Sequence, residues 1–95
     1  MIDIQQIKTQ RKLSEFYDIS VYVDYVKGEK PFVMAVYKDF AAKFLIEDMM
    51  VIEGAVPNRQ LKLVLAWLSL HEDEVMENWL LAKENKPVEP IRPLV

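Results

Sequence analysis

His71 is the chain's only histidine. It stands four residues after Trp67, three before Glu74 and seven before Asn78. On an α-helix those steps fall along one ridge. An imidazole there could serve as general acid or base near neutral pH. Glu74 could orient it, and Asn78 could donate a hydrogen bond to a developing negative charge. The structural reading of the same ridge is stronger. A histidine on the shoulder of an amphipathic helix commonly makes one fixing hydrogen bond, here to Glu74 or to a carbonyl of the chain's end. One helix also presents a flat array, whereas catalysis needs groups converging from several elements.

Other chemistries find less support. His71 and Glu74 could each ligate a metal, but a second histidine is missing and cysteine is absent, so no usual zinc set forms and no cofactor is expected. No glycine-rich phosphate loop occurs. Ser14, Ser20 and Ser69 sit in no nucleophile-elbow pattern. Lys27, Lys30, Lys38, Arg59 and Lys62 could gather where strand turns meet a helix start. Arg59 and Lys62 are then candidate phosphate contacts, set against the simpler reading of solvated turn charges.

The elements that must carry these residues follow from periodicity. "MIDIQQIKTQRKL" suggests a short N-terminal helix, with Asp3 and Gln6 as a capping pair. "YDISVYVDYV", "FVMAVY", "FAAKFLIE" and "EDMMVIEGAVP" read as strands rich in β-branched and aromatic residues. The two-residue link Lys38–Asp39 suggests a hairpin. Phe40, Ala42, Phe44 and Ile46 are the expected buried set of the third run. The expected fold is α+β: an antiparallel meander of about four strands with one face needing cover, a long helix, and an extended proline-rich tail. The divisions are 1–17, 18–56, 58–85 and 86–95 within one domain. Asn58 is the expected helix N-cap; Asn85 and Pro87 are the stop signals, and Ile91 and Leu94 the tail anchors.

The long helix carries two apolar stripes. Leu61, Val64, Leu65, Leu68, Val75, Met76, Trp79 and Ala82 form the stripe expected to cover the sheet. Lys62, Ser69, Asp73 and Glu77 form a wet face. Leu63, Trp67, Leu70 and Leu81 form a second apolar group. At 1.5 Å per residue the helix would run roughly 40 Å, against a domain diameter near 30 Å. One sheet cannot cover both stripes. The second group is therefore a candidate interaction surface for a partner or a second copy, unless the N-terminal segment and tail fill it.

Composition sets the outer bounds. The 95 residues are 52% hydrophobic and 28% charged, which fits one globular domain. Net charge is −3 without a basic run, so the electrostatic footprint of a nucleic-acid binder is absent. The N-terminus lacks a signal pattern, and the longest apolar run, "LVLAWL", is far too short to span a membrane. A cytoplasmic protein is expected.

From Ile19 to Leu94 the chain resembles a small bacterial family, domain of unknown function number 4160. The resemblance rests on Gly54, Pro57, Arg59, Trp67, Leu70, His71, Asn78, Trp79, Ile91, Pro93 and Leu94, and on "KPFVMAVYKDFAAKF" upstream. It implies Pro-His-Phe-His where this chain has Pro31, Phe32, Val33 and Met34, so any chemistry of that histidine pair is lost here. It also implies a glycine where Lys38 follows Tyr37. The family's genes often lie beside those of another small family, number 2442, in a toxin–antitoxin-like arrangement. That context implies a protein partner more than a reaction. The leading expectation is a non-catalytic interaction domain, paired with the neighbouring-gene product or with itself. The alternatives are a toxin-like enzyme acting on RNA with His71 as acid or base, and an inert structural paralogue.

Overall fold

The computed structural model describes residues 2–94. Asp3 caps a single helical turn, α1 (Ile4–Ile7), by accepting from the Gln5 N–H at 3.0 Å. Five strands follow: β1 (Arg11–Phe16), β2 (Ile19–Val23), β3 (Phe32–Tyr37), β4 (Phe40–Leu45) and β5 (Met50–Ala55). They pair antiparallel in chain order, a simple meander. The helix α2 (Asn58–Lys83) lies over β2 and β3, and residues 86–94 form an irregular tail.

The strand count is five, one more than the expected four. The additional strand, β1, lies inside the 1–17 segment, where only a short helix was expected. Its register with β2 shifts between Lys12 and Ser14, leaving Leu13 as an extra, bulged residue. The bulge sets the buried residues Leu13 and Phe16 three apart and so erases the period of two. Tyr17 and Asp18 form the β1–β2 turn. Both have positive φ, 49° and 64°, as a type I′ hairpin demands. Lys38 and Asp39 join β3 to β4 as expected, with Lys38 at φ 52°.

Both faces of the sheet are apolar, another departure from expectation. Val21, Val23, Val33, Ala35, Ala42 and Phe44 pack with Val64, Trp67, Leu68, Val75 and Trp79 of α2 in the main core. Behind the sheet, Tyr22, Phe32, Met34, Val36 and Ala41 form a second cluster with Ile7, and Ile2 and Ile4 pack against it. The N-terminal segment therefore covers the rear face. Of the expected buried set on β4, Ala42, Phe44 and Ile46 are buried; Phe40, beside the hairpin turn, is about half exposed.

In α2 the cap falls one residue earlier than expected. Pro57 holds the N-cap position with extended ψ of 152°, and its carbonyl accepts from the Leu61 N–H at 2.9 Å; Asn58 is the first helical residue. The helix is interrupted at His71, whose φ and ψ are −122° and 22°. A straight helix of 26 residues would run about 39 Å, whereas the longest dimension of the molecule is 33 Å. The kink bends α2 rather than letting it project as a straight rod. At the far end, Asn85 adopts φ 57°, and the N–H groups of Asn85 and Lys86 return to the carbonyls of Ala82 and Leu81 at 3.0 and 2.8 Å. That is a Schellman-type stop.

Candidate functional site

The residues of the ridge through His71 lie beside one another along α2, and two of their hydrogen bonds run to the tail. The Trp67 indole is fully buried; its ring lies 5.7 Å from Phe16, and its Nε1–H donates to the Arg92 carbonyl at 3.0 Å. The Asn78 amide is buried as well. Its Nδ2 donates to the Glu74 carbonyl at 3.1 Å, and its Oδ1 accepts from the Glu89 N–H at 2.7 Å. From the other side, the Ile91 N–H donates to the Leu13 carbonyl of β1 at 2.8 Å. Ile91 is buried in the main core, with Val88 and Leu94 partly buried against it. The tail thus lies in a groove between the edge of β1 and α2, held by its backbone on both sides.

His71 sits at the kink. Its Nδ1 is 2.8 Å from Glu74 Oε1, and its ring is 5.7 Å from Trp67. The surface around it is an open depression lined by Ser69, Leu70, His71, Glu72, Asp73 and Glu74. All six come from one stretch of one helix, so the depression itself is a one-sided array rather than a cleft. Arg59 and Lys62 are exposed on the opening turns of α2. Counted along the axis they lie roughly 18 and 14 Å from His71, too far to share a substrate phosphate with it. Lys30 pairs with Asp48 at 3.7 Å, and Lys38 lies over its neighbour Tyr37. Among the described residues, no group of three or more histidine, aspartate or glutamate side chains could hold a metal ion.

The four residues of the second apolar stripe have separate fates. Trp67 is enclosed by the chain itself, Leu63 is partly buried against the core, and Leu81 lines a small cleft with Pro90 and Ile91 of the tail. Leu70 is 70% exposed. The tail and β1 cover most of the stripe, which is the alternative left open beside a partner or a second copy. Apolar surface stays open at Leu70 and Leu80 of α2 and also on β5, the edge strand opposite β1. Met50 and Ile52 are 51% and 48% exposed there, and Glu47, Asp48 and Glu53 are exposed beside them. Sequence reading missed this edge, although "MVIEGA" holds a signal: its apolar residues do not alternate as a half-buried strand would.

Fold and site together define a small α+β domain: a five-stranded antiparallel meander carrying one kinked helix, with a tail strapped into the helix–strand groove. A family model described as "Domain of unknown function (DUF4160)" matches residues 17–80, and the chain belongs to that family. The match includes β2 to β5 and most of α2, and leaves out α1, β1 and the tail. No curated protein and no solved structure matches the chain significantly. Where the resemblance implies two histidines, Phe32 and Met34 lie buried in the rear cluster beside Ile7 and Tyr22.

Proposed function

We propose that this protein is a non-catalytic interaction domain that binds a partner protein by adding a strand to β5. The observation that carries this reading is the use made of the ridge. Asn78 and Trp67 are spent on the chain's own tail, and His71 bonds to Glu74 one turn along. An edge strand with two exposed apolar side chains remains available for recognition, and its outward N–H and C=O groups template a further strand. Apolar Met50 and Ile52 lie between carboxylates, so the complementary partner segment is extended and apolar, with basic flanks. The neighbouring-gene product of a bacterial toxin–antitoxin-like module is the first partner to test, in the cytoplasm. No helix among the described residues is long and apolar enough to cross a membrane.

The experiment is co-expression with that gene product, followed by size-exclusion chromatography with light scattering. Wild type is expected to elute as a complex and Ile52→Lys as a free protein. A wild-type complex unaffected by Ile52→Lys would remove β5 as the surface. Growth inhibition by wild type that is lost in His71→Ala would instead favour the RNA-directed enzyme.

A further inference from the structure

We infer that the tail is an exchangeable strap, and that the groove between β1 and α2 takes residues 86–94 of a second copy of this chain once the left-handed turn at Asn85 is opened. The groove recognises backbone. Its anchors are the Leu13 carbonyl, the Asn78 amide and the Trp67 indole, which bond to the N–H of Ile91, the N–H of Glu89 and the carbonyl of Arg92. Ile91 supplies the one fully seated side chain. A tail arriving from another molecule would make the same three bonds and fill the same space. Pro87, Pro90 and Pro93 restrict the segment to extended conformations, so little chain entropy is lost on docking from either source.

The connection decides which copy's tail is used. The chain reverses from α2 into its own groove through Asn85 at φ 57°. Asparagine tolerates that left-handed conformation, and β-branched residues do not. A residue at this point that prefers right-handed or extended backbone would send the tail outward, to a neighbour. Arg11 Nη2 also donates to Asn85 Oδ1, at 2.8 Å. A useful comparison therefore removes that bond without changing the backbone preference.

The test uses the full chain with Asn85→Val and Asn85→Gly. Both lose the Arg11 bond, but only valine opposes the left-handed turn. Asn85→Val is expected to dimerise, its dissociation constant falling roughly 100-fold, about 10-fold for each of two hinges. Asn85→Gly is expected to stay as monomeric as wild type. In dimers mixed from isotope-labelled and unlabelled chains, NMR contacts from Ile91 to Leu13 should cross between molecules. A monomeric Asn85→Val, or a dimer keeping that contact within one chain, overturns the inference. Wild type supplies a second measurement: the Ile91 amide should exchange with solvent by local opening, much faster than the amides of β2. Equal protection at both would mean that the tail leaves only when the domain unfolds, and would also overturn it. The β5 reading stands apart, because Ile52→Lys leaves the strap untouched.

Discussion

Asn78 shows how one amide can set the role of a whole ridge. Buried between helix and tail, it uses its donor on one and its acceptor on the other. Asn78→Ala would leave the Glu89 N–H without its partner, at a cost of about 1–3 kcal/mol. Chemical denaturation should register that loss, while His71→Ala, which removes a hydrogen bond to an exposed carboxylate and the packing of the ring on Trp67, should cost about 1–2 kcal/mol. A second residue-scale prediction concerns Glu15. A hydrogen bond from Lys12 holds its carboxyl below the usual range, and the same bond holds Lys12 above its own. Glu15 therefore stabilises the fold above its unfolded pKa, and that contribution is lost as pH falls through the folded value. The Lys12 contribution is present below its unfolded pKa and lost as pH rises through the folded one. In an NMR titration, Lys12→Ala should move the Glu15 midpoint upward.

At Gly54, β5 runs close to the backbone of β4. Gly54 has φ 72°, and a Cβ there would run into the Ala41 carbonyl and Ile2 Cδ1. Gly28 also has positive φ, 89°, but faces open space. Gly28→Ala should therefore cost only the backbone strain, about 1 kcal/mol. Gly54→Ala adds a backbone clash and should cost about 2 kcal/mol or more. Thermal unfolding of the two variants side by side separates strain from contact. Ile2 Cδ1 lies within reach of a Cβ at Gly54, so the N-terminal segment extends across the rear face as far as β5.

For the whole molecule, the two sheet edges are treated differently. β1 is screened by the tail, whereas β5 is uncovered and carries half-exposed Met50 and Ile52. Ile52→Lys should change stability by no more than about 0.5 kcal/mol, because the side chain is a surface one. It should still abolish partner binding on light scattering if β5 is the docking edge. A large loss of stability instead would mark Ile52 as part of the fold rather than of a recognition surface.

Much of this architecture is readable along the chain. The helical period gave α2 and its stop at Asn85, the Lys38–Asp39 link gave a hairpin, and Ala42, Phe44 and Ile46 gave an inward face. These features are local, so short-range pattern carries them. β1 escaped because the bulge at Leu13 breaks the period of two. The rear core escaped because the meander was read with one face needing cover, whereas an unbroken apolar run such as Phe32–Val36 is covered on both. The ridge at Trp67, His71, Glu74 and Asn78 was legible as a ridge, but its use was not. Its partners are an N–H at Glu89 and a carbonyl at Arg92, while a carbonyl at Leu13 holds the tail from across the groove. Backbone groups are alike in nearly every residue, so nothing in the residue types marks those three. Only the tertiary structure, by bringing the chain's end back across its beginning, decided that the helix grips its own tail.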